Sequence, residues 1–133
     1  MKRVFLSLAA LAVTAAAPAS ANARSGLQGR WKNGKMEIMI APCGRALCGT
    51  VIKASARQQE KAENGSGTRL IGARVIENIQ PAGSGVYRAD VFVADRGANA
   101  SGTIRQVAPN RLAVRGCVGI LICKTTNWDR ISQ

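Results

Sequence analysis

Leu27-Gln28-Gly29-Arg30-Trp31-Lys32 runs into Asn33-Gly34 and then into Lys35-Met36-Glu37-Ile38-Met39-Ile40-Ala41-Pro42. The first six residues place Leu27, Gly29 and Trp31 on one face of a strand. The last eight alternate Met36, Ile38 and Ile40 against Glu37, Met39 and Ala41. Period-two alternation on both sides of an Asn-Gly pair, whose residues tolerate positive φ, reads as a hairpin with a type I′ turn.

The same rhythm continues outward. Cys43 to Cys48 forms a turn into a strand over Leu47 to Ala54. Ser55 to Thr68 is the longest polar tract and ends in Asn64-Gly65-Ser66-Gly67. Its Glu, Lys and Gln residues are compatible with a helical turn or two, but the simplest reading is a mobile surface loop. Arg69 to Gln80 reads as one longer strand, and Pro81 to Gly85 as a turn. Val86 to Ala94 alternates, with Tyr87, Ala89, Val91 and Val93 on one face and Arg88 and Asp90 on the other. Asp95 to Gly102 reads as a second Gly/Asn-rich loop. Thr103 to Ala108 and Arg111 to Val118 flank a Pro109-Asn110 turn, and Lys124 to Ile131 closes the series. About eight short strands at spacings of about 8–12 residues predict an all-β antiparallel sandwich or barrel in one domain.

The N-terminus predicts export. Lys2 and Arg3 precede an Ala/Leu-rich apolar stretch from Val4 to Ala17, too short to span a bilayer. Ala21-Asn22-Ala23 supplies the small-x-small cleavage pattern, so residues 1–23 read as a signal peptide and 24–133 as the mature domain. The short basic start and Ala-rich core look bacterial, which points to the periplasm. Without Lys2 and Arg3, 17 of the 19 basic residues face seven acids, a net charge of +10. Such a field attracts anionic lipid or polysaccharide of the envelope. The basic residues do not cluster, however: Arg45, Lys53, Arg57, Arg74, Arg88, Arg105, Arg111 and Lys124 spread along the chain. Only four aromatics remain for stacking, Trp31, Tyr87, Phe92 and Trp128, so a nucleic-acid partner is disfavoured.

Four cysteines in an exported chain read as disulfides, with three pairings open. Loop entropy favours a long-range Cys43–Cys123 bridge, at about 4–5 kcal/mol against about 2 for each local one. Geometry favours Cys43–Cys48 and Cys117–Cys123, because each pair flanks a loop of hairpin length between strand-like runs. The local pairing is the one expected. A four-thiolate zinc site would want tighter C-x2-C spacing, so no metal is expected.

Several catalytic chemistries are closed. The chain has no histidine, which excludes Ser-His-Asp and Cys-His catalysis and histidine-ligated metals. No serine lies in a G-x-S-x-G elbow, and Asn64-Gly65-Ser66-Gly67 lacks the G-K-[ST] ending of a phosphate loop. Glu60 and Glu63 share a polar loop with Lys61, while Glu37 and Asp90 fall on outward faces. No acid/base couple stands out, and neither catalytic residues nor a cofactor is expected.

Gly29-Arg30-Trp31, Pro42-Cys43-Gly44, Leu47-Cys48-Gly49, Leu70-Ile71-Gly72, Leu112-Ala113-Val114-Arg115-Gly116-Cys117 and Trp128-Asp129-Arg130 occur in that order. The series resembles an uncharacterised exported bacterial family, domain of unknown function 2147, over most of residues 27 to 131. Where family members carry a tryptophan and an Asp-Pro-Gly-Tyr stretch in the centre, this chain has Val86-Tyr87 and Asp95-Arg96-Gly97. The resemblance implies a small lipocalin-like barrel with no established activity.

Gly29-x-Trp31 near the start and Arg130 near the end also look like the lipocalin closure device. A guanidinium on an indole at a plugged end is worth about 0.5–2 kcal/mol. Gly29, Trp31, Trp128 and Arg130 are therefore expected to close the barrel. A barrel of this size can hold one small apolar or amphiphilic ligand in its mouth. The inward candidates are Met36, Ile38, Ile40, Val51, Val75, Tyr87, Val91 and Val93, which could equally be plain core.

Overall fold

The computed structural model describes residues 26–119 and 122–133. The export signal read over residues 1–23 lies outside them. The strands are β1 (Gly29–Asn33), β2 (Met36–Cys43), β3 (Ala46–Lys53), β4 (Arg74–Gly83), β5 (Val86–Val93), β6 (Ala98–Ala108), β7 (Arg111–Val118) and β8 (Ile122–Ser132), with one helix, α1 (Ala56–Ser66), between β3 and β4. Each strand pairs antiparallel with the next, and β8 returns to β1, so the sheet closes into a barrel. Closure removes the free edges through which an open sheet would pair with other chains.

The opening hairpin sets the register. The turn falls one residue later than expected: Asn33 lies opposite Met36, so Gly34 and Lys35 form it. Of the two only Gly34, at φ 56°, is left-handed, so the turn is not type I′. In this register Trp31 faces Ile38. Across the seam Trp31 faces Arg130. Alternation then carries Trp31, Ile38, Ile40, Val51, Ile104 and Leu112 into the core, each 0–1% exposed.

Because neighbouring strands run oppositely, the connections divide between two ends. Residues 26–28 lie at one end with the β2–β3, β4–β5 and β6–β7 turns. The other end carries the β1–β2 turn, α1, and the β5–β6 and β7–β8 connections.

Three further local expectations are corrected. The Ser55–Thr68 tract is ordered as α1. The Ser55 hydroxyl accepts from the Gln58 N–H at 3.1 Å, and the Gln58 side chain accepts from the Ser55 N–H at 2.9 Å, a reciprocal capping box. At the other end Gly67 is left-handed, and the Gly67 and Thr68 N–H groups donate back to the Glu63 and Ala62 carbonyls.

The long strand β4 runs on to Gly83, through the expected Pro81-Ala82 turn. It carries a bulge at Asn78, which has φ 52° and donates to Asp90 Oδ2 at 2.7 Å. The extra residue lets Ile76 and Ile79, three apart, both point inward. β6 begins at Ala98 inside the expected 95–102 loop, because Ala98 to Ser101 are paired by β5. Glu37 keeps the outward face expected of it, alternating with inward Ile38, yet is only 7% exposed, with Arg30, diagonal to it across the first hairpin, ion-paired to it at 2.9 Å.

Candidate functional site

The barrel has a plugged end and an open one. At the plugged end Trp31 is fully buried, and its indole N–H donates to the Leu27 carbonyl at 2.7 Å. The Arg130 guanidinium lies over the indole, 4.2 Å from the ring centroid. It donates to the carbonyls of Gln28 at 2.6 Å, of Gly26, and of Pro109 at 3.3 Å. Residues 26–28 are thereby drawn under the barrel. Gly29 is required here, because at its φ of 130° a Cβ would sit 2.5 Å from the Ser132 carbonyl oxygen and 2.8 Å from the Arg130 guanidinium. The Cys43–Cys48 bridge clamps the β2–β3 turn at this same end.

At the other end a half-open cavity of about 510 Å³ remains. Its walls are apolar: Met36, Val75, Val91, Phe92 and Val93 line it, with Ile76, Val114 and Trp128 deeper. α1 forms one side. Ala62, 1% exposed, turns into the barrel, and Gln58 and Lys61 reach the lining from the same helix. Two contacts hold α1 there. The Ser66 hydroxyl donates to the Ala94 carbonyl at 2.6 Å. Gly65 lies so close to Asp95 that a Cβ would collide with the Asp95 carbonyl. The Cys117–Cys123 bridge clamps the β7–β8 connection beside this mouth, with Val118 and Ile122 on the rim. Both disulfides thus have the local pairing.

The inward row of β8 is the least uniform wall. Ile122, Lys124, Thr126 and Trp128 all line the cavity, and Arg130 follows below them at the plug. Lys124 lies opposite Gly116, whose missing side chain leaves room at that level. The ionisable side chains in the lining are Lys61, Asp95, Arg96 and Lys124. Among the described residues the ion pairs are Arg30–Glu37 and Arg111–Asp129, so these four have no opposite charge within 4 Å.

The residues expected to form a ligand site divide between the two halves. Met36, Val75, Val91 and Val93 meet at the cavity. Ile38, Ile40 and Val51 fill the core instead, and Tyr87 packs against that core outside the lining. Trp128, grouped by sequence with the closure, stands in the cavity wall, where its indole N–H donates to the Thr126 hydroxyl at 3.0 Å. The contributions of Lys61, Arg96 and Lys124 were not among the expected ones. For Lys124 a signal existed: it shares strand parity with Trp128 and Arg130, so an inward Arg130 implies an inward Lys124.

A second, shallow groove of about 480 Å³ lies on the outer wall of β4–β7. Arg88, Thr103 and Arg115 stand side by side there on three adjacent strands, with Asn78, Asp90 and Ser101 beside them.

Residues 29–130 match the family described as uncharacterized proteins conserved in bacteria, DUF2147. The chain belongs to this family. The match spans the barrel from β1 to the closure arginine on β8. No curated protein matches the chain. Among solved structures, the chain is similar to protein HP1028 from the human pathogen Helicobacter pylori, which belongs to the lipocalin family. The two share 12% identity with a TM-score of 0.63, over 80% of this chain and 84% of the other. At that identity the likeness concerns the fold, which is lipocalin-like. No helix among the described residues is long and apolar enough to cross a membrane.

Proposed function

We propose that the protein is a non-catalytic binding module of the periplasm, a single domain over residues 24–133 after loss of residues 1–23. In this reading it takes a small apolar or amphiphilic ligand at the mouth of the barrel. One observation carries it: the plugged end is filled by its own side chains, while the mouth keeps about 510 Å³ behind apolar walls. That volume falls within the range of about 300–1,000 Å³ typical of small-molecule sites. The two disulfides suit an oxidising compartment.

Native mass spectrometry of protein from its own periplasm is the direct test. A bound small molecule is expected, with saturable uptake of the neutral dye N-phenyl-1-naphthylamine after its removal. A bare protein that takes up no dye would overturn the reading.

The outer-wall row of Arg88, Thr103 and Arg115 favours a second reading, in which the domain docks on anionic lipid or polysaccharide, or on a protein partner, without a small ligand. Binding to anionic vesicles should then fall steeply with salt, as the Debye length shrinks from about 10 Å at 0.1 M to about 3 Å at 1 M. Salt-independent binding would count against it.

A further inference from the structure

The walls of the mouth are apolar, yet the charges on them are unbalanced. Lys61 from α1, Arg96 from the β5–β6 connection and Lys124 from β8 face one carboxylate, Asp95. The three cations come from separate elements around the opening. None has an opposite charge within 4 Å among the described residues. Lys124 is the most telling. It is exposed at the rim, on the strand face it shares with cavity-lining Thr126 and Trp128, which follow it toward the interior. All three cations are exposed, so each keeps its charge at the water boundary while its stem borders apolar wall, a placement that suits the head of a ligand whose tail lies deeper.

We infer that the cavity selects a single-tailed amphiphile with an anionic head: the tail lies against Val91, Phe92, Val114 and Trp128, and the head meets Lys124, Lys61 and Arg96. This rests on the reading of the cavity as a ligand site and adds the chemical class of the ligand. A carboxylate, sulfate or phosphate head satisfies the same cations, because all present acceptor oxygens to ammonium and guanidinium donors. A cationic head would meet like charges, and an alcohol would leave them without a partner.

Displacement of N-phenyl-1-naphthylamine from the full, disulfide-bonded protein at low salt tests this. Decanoate and decyl sulfate are expected to displace the dye at lower concentration than decan-1-ol, and decyltrimethylammonium at the highest. Lys124→Gln and Lys61→Gln should each weaken decanoate about fivefold, the upper end for an exposed ion pair. Each should weaken decanoate more than it weakens the neutral dye or decan-1-ol, so the ratio of decanoate to decan-1-ol affinity falls, which separates a lost head contact from a damaged cavity. Decan-1-ol competing as well as decanoate, or unchanged decanoate affinity in both variants, would overturn the head-group selection while the cavity reading stands. If the wild-type protein takes up no dye, and no amphiphile shows saturable binding by calorimetry, the cavity reading itself fails and this inference with it.

Discussion

β8 carries two inward-facing cations six residues apart, Arg130 and Lys124, separated by about 20 Å of strand. Both alternate inward with Trp128 between them. Arg130 sits over an indole, and its guanidinium is shared among three carbonyls. Lys124 is exposed at the rim of an apolar wall, with no opposite charge within 4 Å among the described residues. The strand register is common to both, so it does not set their roles. What differs is the chain that folds across each end. Residues 26–28 bring carbonyls beneath Arg130. At the mouth α1 stands to one side and leaves Lys124 facing the entrance. A planar guanidinium with five donors also suits a site of several fixed carbonyls better than an ammonium does.

Truncating the plug should have the largest effect. Trp31→Ala removes a fully buried ring and should cost about 3–5 kcal/mol of unfolding free energy in urea. Arg130→Met keeps the length but removes the guanidinium that donates to the Gln28, Gly26 and Pro109 carbonyls, and should cost about 1–3 kcal/mol. Because the two side chains touch, their double mutant should lose less than the sum, by about 0.5 kcal/mol or more. Strictly additive losses would show that the stack contributes nothing beyond each residue's own packing, and would break the contrast at its stronger end.

The plug was legible in the sequence for a physical reason. Trp31 and Arg130 have large, chemically distinctive side chains, and the tight turn at Gly34-Lys35, one residue past the Asn-Gly pair's first member, fixes the register that brings Trp31 to the barrel floor. The same register makes Arg30 and Glu37 a diagonal pair, so the burial of Glu37 could have been read as well. The mouth was harder to read. The inner face of α1 is represented by Ala62, a residue too small to register as an apolar stripe, and the helix is otherwise polar. Its true signatures were Ser55 with Gln58 at the start and Gly67 at the end. The Ala98-Asn99-Ala100-Ser101 segment has poor strand propensity, and its pairing with β5, joined at Ser101 by β7, holds it in β6. The bulge at Asn78 breaks alternation in β4, which no period-two pattern anticipates.

An intermediate effect should come from Gly65→Ala. In an isolated helix this change would stabilise by up to about 1 kcal/mol. Here the new Cβ would collide with the Asp95 carbonyl, so α1 must shift away from the β5–β6 connection. Hydrogen exchange should speed up in α1, while the amides of β1 and β8 near the plug keep their protection. Faster exchange at both ends would mean that mouth and plug open as one unit, and the separation drawn between them would be lost.

Lys124→Met should have the smallest effect on stability, and it sharpens the comparison most. The substitution mirrors Arg130→Met on the same strand and face. Among the described residues the Lys124 side chain has no ion pair to lose, and a methionine fits beside Ile122 and opposite Gly116. Unfolding free energy should stay within about 0.5 kcal/mol of the parent, as for surface changes away from any specific contact. A loss as large as that of Arg130→Met would show that the ammonium is held by the fold. A structural role would then explain why a cation stands in an apolar wall, and the case for an anionic head at the mouth would rest on Lys61 and Arg96 alone.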